Sequence, residues 1–192
     1  MGAAGMNRDT ISMECLKHSL VLLLRDNPIE KIHITDLCRR AGICRATFYL
    51  YFDDIYFLQE AVMNDLLDPL KNLQANSCKD SKQTIQAFKT LFDIIDSKKE
   101  WYHTFLADKN NLYFYLRFRD ILIGIIHSYL PQGNCEKYYD NAVAGAVLEL
   151  INDGLKNGRT FSLEDAFLSI IQLLNLESHE NDTAFEEALF RA

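Results

Sequence analysis

Residues 32–52 read IHITDLCRRAGICRATFYLYF, and the rest of the chain is best read outward from them. Thr35 to Arg40 forms a helix candidate, with Leu37, Cys38 and the following Ala41 at the spacing that buries one face. Gly42 breaks the pattern where a left-handed backbone is needed. Ile43 then supplies an apolar plug, and Arg45 starts a second helix running to Phe52. In that helix Phe48 and Phe52 lie four apart and face inward. Arg45, Ala46, Thr47, Tyr49, Leu50 and Tyr51 are left to face out. A helix, a short glycine turn and a helix with a polar, aromatic outer face make a helix-turn-helix suited to the DNA major groove.

The outward residues carry chemistry that suits duplex DNA. Arg45 can address a guanine edge or a phosphate, Thr47 a phosphate or base, and Ala46 or Leu50 a thymine methyl. Tyr49 and Tyr51 can direct hydroxyls at phosphates on either side of the groove. Thr35, near the start of the preceding helix, can do the same with the help of the helix dipole.

These residues resemble the tetracycline-repressor (TetR/AcrR) family of bacterial transcriptional regulators. The resemblance rests on Ile34, Leu37-Cys38, Ala41-Gly42-Ile43-Cys44, Thr47-Phe48-Tyr49, Phe52 and Leu58, and it covers roughly residues 7–68. It implies an all-α protein of about nine helices. Residues 7–53 would form a three-helix DNA-binding domain, and residues 54–192 a larger helical domain for effector binding and dimerisation. Three places depart from the family. Asp53-Asp54-Ile55 stands where Lys-x-Lys normally touches the DNA backbone, and Cys44 replaces the Ser or Asn that caps the recognition helix. His33 also takes the place of a capping Thr. Weaker phosphate anchoring is expected from these changes, together with the loss of ~1 kcal/mol of capping. A thiol at a helix start also has a route to a lowered pKa.

Charge follows the same division. Residues 1–58 hold seven Lys/Arg and seven Asp/Glu, so the net charge of −7 belongs to the remainder. An acidic second domain would orient the protein on DNA without giving strong non-specific affinity.

Around the core motif, a first helix is expected from Asp9 to Arg25, with Ile11, Cys15, Leu16, Leu20, Leu23 and Leu24 as its apolar stripe and Asn27-Pro28 ending it. Cys15 and Cys38 are expected to be buried. A long fourth helix should start at Asp53-Asp54, whose carboxylates suit a helix N-terminus, and Pro69 should kink or end it. Further helices are expected over Thr84–Asp96, Glu100–Ala107, Leu112–Tyr129, Tyr138–Lys156 and Ser162–Leu176, the last opened by a capping box. Met1 to Gly5 reads as a leader or cloning remnant outside the fold.

The resemblance places an inducer pocket among the aromatics of the second domain, and Phe88, Phe92, Trp101, Phe105, Tyr115, Phe118 and Ile121 are its candidate lining. His103, Arg117, Arg119, His127 and Tyr129 are the polar groups in range to orient a ligand. Ala144, Val147, Leu150 and Ile151, with Ile170, Leu173 and Leu174, are the candidate dimer interface, because small and apolar residues there permit close helix approach. Two subunits are needed if two recognition helices are to enter successive major grooves ~34 Å apart. The expected partners are therefore operator DNA, a second copy of the chain and a small-molecule effector.

Other classes find little support. No nucleophile–base pairing, metal-ligand spacing or phosphate-cradling glycine loop is present, so neither an enzyme nor a cofactor or metal is expected. The five cysteines are scattered without a CxxC pair. No apolar run approaches the ~20 residues that span a bilayer, and no signal peptide is visible, so a cytoplasmic protein is expected. The sequence reads as a ligand-responsive homodimeric repressor, with a DNA-weak adaptor of the same fold as the alternative.

Overall fold

Helices account for all the regular structure in the computed structural model, which describes residues 8–74, 81–106, 111–129 and 136–157. In order they are α1 (Arg8–Leu24), a 3-10 turn (Ile29–Lys31), α2 (Ile34–Ala41), α3 (Arg45–Tyr51), α4 (Ile55–Gln74), α5 (Ser81–Ser97), α6 (Lys99–Leu106), α7 (Leu112–Tyr129) and α8 (Glu136–Lys156). The expected all-α class is observed, with eight α-helices among the described residues. The expected helix over Ser162–Leu176 lies outside them.

The chain divides into two compact units, Met1–Leu66 and Leu67–Ala192. That division falls within α4, later than the boundary between residues 53 and 54 that the sequence suggests. One physical reason is the ion pair between Lys17 Nζ and Asp65 Oδ2 at 2.6 Å, which ties the first part of α4 to α1. Lys17 is largely enclosed. Burial disfavours its charge, but the carboxylates of Asp65 and Glu14 outweigh that and hold its pKa above the ordinary lysine value.

The first unit is built around Leu16, Leu20 and Val21 of α1, Leu37 and Cys38 of α2, Phe48 of α3, and Leu58, Val62 and Leu66 of α4. Two expectations for α1 fail. Cys15 is exposed, and Ile11 retains 44% of its exposure. Apolar residues cover too wide an arc of this helix for one neighbouring layer to bury them all, and burial falls on Leu16, Leu20 and Val21. Pro69 neither ends nor interrupts α4, which runs on to Gln74.

The turn between α2 and α3 matches its sequence. Gly42 takes the left-handed conformation, with φ 68° and ψ 28°. Its N–H donates to Arg39 O at 3.3 Å, and the Ile43 N–H reaches back to Cys38 O at 2.9 Å. This paired arrangement satisfies carbonyls that the helix end leaves over.

In the second unit α5, α6, α7 and α8 pack on one another. A run of rings passes through the interior: Phe105 against Phe114 with centroids 5.2 Å apart, Phe114 against Phe118 at 6.1 Å, and Phe118 against Tyr102 at 6.0 Å. Gly124 of α7 lets the Gln74 side chain lie where a Cβ would otherwise sit. The Ser128 hydroxyl, within reach of both Gln74 O (3.3 Å) and Gly124 O (2.8 Å), helps hold the end of α4 there.

A Cβ added at Gly42 would meet nothing within 4 Å, so only the backbone conformation resists substitution. Gly42→Ala should lower the unfolding free energy by about 1–2 kcal/mol, measured by urea titration, without altering the helical circular dichroism of the folded protein.

Candidate nucleic-acid interface

The short helix α3 presents four rows of side chains, each row joining residues four apart. Phe48 defines the inward row. Its ring is 0% exposed, and it meets Phe52 at 5.9 Å and the edge of Tyr49 at 5.3 Å. Phe52 itself, at the extended C-cap, is half-buried.

The row of Thr47 and Tyr51 is half-buried and tied to the protein. Thr47 Oγ1 lies 3.1 Å from Cys44 Sγ. The Tyr51 hydroxyl donates to Asp9 Oδ1 of α1 at 2.7 Å, a contact that raises the Tyr51 pKa, since a nearby carboxylate disfavours a phenolate. Both residues were expected to face fully outward. The structure instead engages their polar atoms with neighbours.

The remaining two rows are open. Arg45 and Tyr49 form one, with the guanidinium carbon 5.9 Å from the ring centroid, and Tyr49 is 48% exposed. Ala46 and Leu50 form the other; Ala46 is exposed and Leu50 is 79% exposed. Thr35, on α2, is also exposed. Of the seven residues expected to meet DNA, Thr35, Arg45, Ala46, Tyr49 and Leu50 thus lie open on the surface.

The caps explain how the flanking sequence works. Cys44 is the N-cap of α3 and His33 that of α2, and neither side chain caps its helix. Asp54 performs that task for α4: its Oδ1 accepts from the N–H groups of Tyr56 at 2.7 Å and Phe57 at 3.0 Å. The Asp54 carboxylate, between the two positions where the resemblance expects lysine, is therefore a structural cap. Asp53 lines a shallow groove of about 300 Å³ together with Tyr51, Phe52, Phe57, Glu60, Ala61 and Asn64, a feature the sequence reading missed. Its only signal was the unusual acidic pair after Phe52.

The two thiols near this surface differ. The contact with Thr47, then backbone N–H groups at the start of α3, draw the exposed Cys44 below the ordinary thiol pKa. Burial pushes Cys38 up, against the opposing charge of Arg45.

Phe88, Phe92, Phe105, Phe118 and Ile121 are buried, while Trp101 and Tyr115 are half-buried. Of the polar groups expected to orient a ligand, three have contacts of their own. Arg117 lies 5.4 Å over the Tyr113 ring, Arg119 pairs with Asp120 at 3.2 Å, and His127, 54% exposed, contacts buried Asp140 at 2.8 Å. His103 is half-buried, and the Tyr129 side chain is not among those described. Tyr102, whose phenol burial pushes far up, was passed over as a polar group among the rings. Among the described residues no cluster of His, Cys, Asp and Glu is placed to hold a metal ion. None of the helices is long and apolar enough to cross a membrane, again among the described residues.

Three of the candidate dimer residues lie inside the protomer. Ala144, Val147 and Ile151 are buried within the protomer, because they form the face by which α8 packs on α6 and α7. Leu150 is half-buried. The outward face of α8 carries Tyr138, Asn141, Ala142, Gly145, Glu149 and Asp153 instead. Ile170, Leu173 and Leu174 lie outside the described residues.

Comparison with solved structures places this architecture. The crystal structure of a TetR transcriptional regulator from Streptococcus agalactiae 2603V superposes with a TM-score of 0.62 at 18% identity, covering 86% of this chain and 94% of that one. The chain shares the fold of that regulator. The dihydroxyacetone kinase operon activator DhaS is similar in fold as well, at a TM-score of 0.56 and 20% identity over 85% of this chain and 94% of DhaS. In sequence, the HTH-type transcriptional regulator EthR of Mycobacterium tuberculosis is 46% identical over 50 residues, and EthR of Mycobacterium bovis matches equally. That match spans 26% of this chain and 21% of EthR. No protein-family profile matches the chain.

With Cys15, Cys78 and Cys135 replaced by serine, Cys44 should alkylate with iodoacetamide along a rate–pH curve displaced to the acid side of free cysteine. Cys38 should react only when the protein is unfolded. Mass spectrometry of the labelled peptides distinguishes the two sites.

Proposed function

We propose that this chain is a DNA-binding transcriptional regulator that inserts α3 into the major groove of a near-palindromic operator as a homodimer. The observation that carries this reading is the division of α3 into two anchored rows and two open ones. A helix fixed from behind, with Arg45, Tyr49, Ala46 and Leu50 presented together, suits readout of base edges. The 50-residue similarity to EthR supports the same reading.

In this proposal the second unit binds a small molecule among its aromatic residues and the protein acts as a repressor in the cytoplasm. Ligand and operator then weaken one another by linkage. The outward face of α8 serves as a contact with the second copy, since Ala142 and Gly145 admit close approach there and a Cβ at Gly145 would meet nothing within 4 Å.

The acidic positions favour a second reading, in which the same fold acts through a protein partner with weak DNA contact. Asp53 and Asp54 stand beside α3 where basic residues would draw phosphate, and the residues 1–58 carry no net charge. Fluorescence anisotropy on the chain's own upstream DNA at two salt concentrations separates the two. The regulator reading expects specific binding that weakens with salt and falls at least tenfold in Arg45→Ala. Equal affinity for specific and scrambled duplexes would favour the adaptor.

Gly145→Arg should leave the helical content and thermal stability of the protomer intact while shifting the light-scattering mass from dimer toward monomer. An unchanged dimer would remove this face of α8 from the interface.

A further inference from the structure

The apolar row of α3 has a consequence for which sequences can be bound. Leu50 keeps 79% of its exposure, on a surface where a polar residue would be the ordinary choice. Ala46, one turn earlier on the same row, is small enough to let the helix approach the groove floor. Neither side chain has a hydrogen-bonding atom, so neither can satisfy a base-edge donor or acceptor. Facing a phosphate or a base amino group, Leu50 would strip water from a polar atom and return nothing. Unmodified duplex DNA offers one apolar feature in the major groove, the 5-methyl group of thymine.

We infer that the Ala46–Leu50 row reads thymine methyl groups, so that each operator half-site carries a T·A pair beneath Leu50 whose methyl is a determinant of specificity. This inference rests on the DNA-binding reading proposed above. Three further observations support it. The adjacent row carries Arg45, over the Tyr49 ring, giving the face a cation that complements phosphate or a guanine edge. The polar atoms of Thr47 and Tyr51 are engaged with Cys44 and Asp9, so two hydroxyls that would otherwise compete for base edges are turned away. Asp54 is committed to capping α4 and supplies no attraction for the backbone. With phosphate anchoring reduced, apolar base contact makes up a larger share of the discrimination.

The test uses the full-length protein and the tightest duplex it selects from a random-sequence pool. Each thymine of that duplex is replaced singly by deoxyuridine, which preserves base pairing and removes only the methyl. One or two positions in each half-site should lose roughly three- to fivefold in affinity, and the others should be unaffected. In Leu50→Ala, whose exposed position leaves folding intact by circular dichroism, binding should weaken and the sensitive positions should become insensitive. The inference is overturned if the selected duplex binds tightly yet every deoxyuridine variant binds equally, or if the sensitivity persists in Leu50→Ala. Failure to select any duplex is a different result: it removes the DNA-binding reading itself and this inference with it.

Discussion

Burial of the Phe48 ring sets the rotation of α3, and the character of the exposed surface depends on that rotation. A helix of this length is too short to be stable alone, so its orientation comes from what it buries. One fully buried aromatic side chain provides a strong apolar anchor, since burying such a ring stabilises by about 1.5–3 kcal/mol. Turning the helix by one residue would expose Phe48 and bury Tyr49, whose hydroxyl would then need a partner. The ties from Thr47 to Cys44 and from Tyr51 to Asp9 reinforce the same rotation from the sides. The left-handed Gly42 directs the chain into it.

The second unit uses aromatic side chains differently. Tyr102, Phe105, Phe114 and Phe118 form a contiguous series of ring contacts along α6 and α7, closed by the inner face of α8. Such packing is adaptable, because offset and tilted ring pairs tolerate small displacements better than interlocked branched side chains do. The polar groups around it pair locally, Arg117 with Tyr113 and His127 with Asp140. Among the described residues, what distinguishes this unit is its interior of packed rings.

Much of the helix-turn-helix was legible in sequence because local rules and burial agree there. Gly42 has one physical reason to sit where it does, and the spacing of Leu37, Cys38 and Phe48 leaves little freedom of phase. Legibility failed where an element is apolar on several sides. In α1, VLLL and the residues before it gave no unique face, so Cys15 and Ile11 were assigned to a core that only Leu16, Leu20 and Val21 enter. The run AVAGAV in α8 allowed two phases, and Ala144, Val147 and Ile151 face the protomer's own helices. Contacts between distant residues were also invisible: nothing near Tyr51 in the sequence announces that Asp9 will take its hydroxyl. Asp53-Asp54 was recognised as a helix start, but its meaning as a cap became clear only from the two N–H groups that Asp54 accepts.

That cap constrains how this surface can evolve. A lysine at position 54 would add attraction for phosphate and simultaneously uncap α4, at a cost of about 1 kcal/mol, in the helix that also holds Lys17 through Asp65. A basic residue at this position is therefore disfavoured by stability, whatever advantage it offers in binding. Added positive charge would cost less stability at neighbouring positions that carry no such duty.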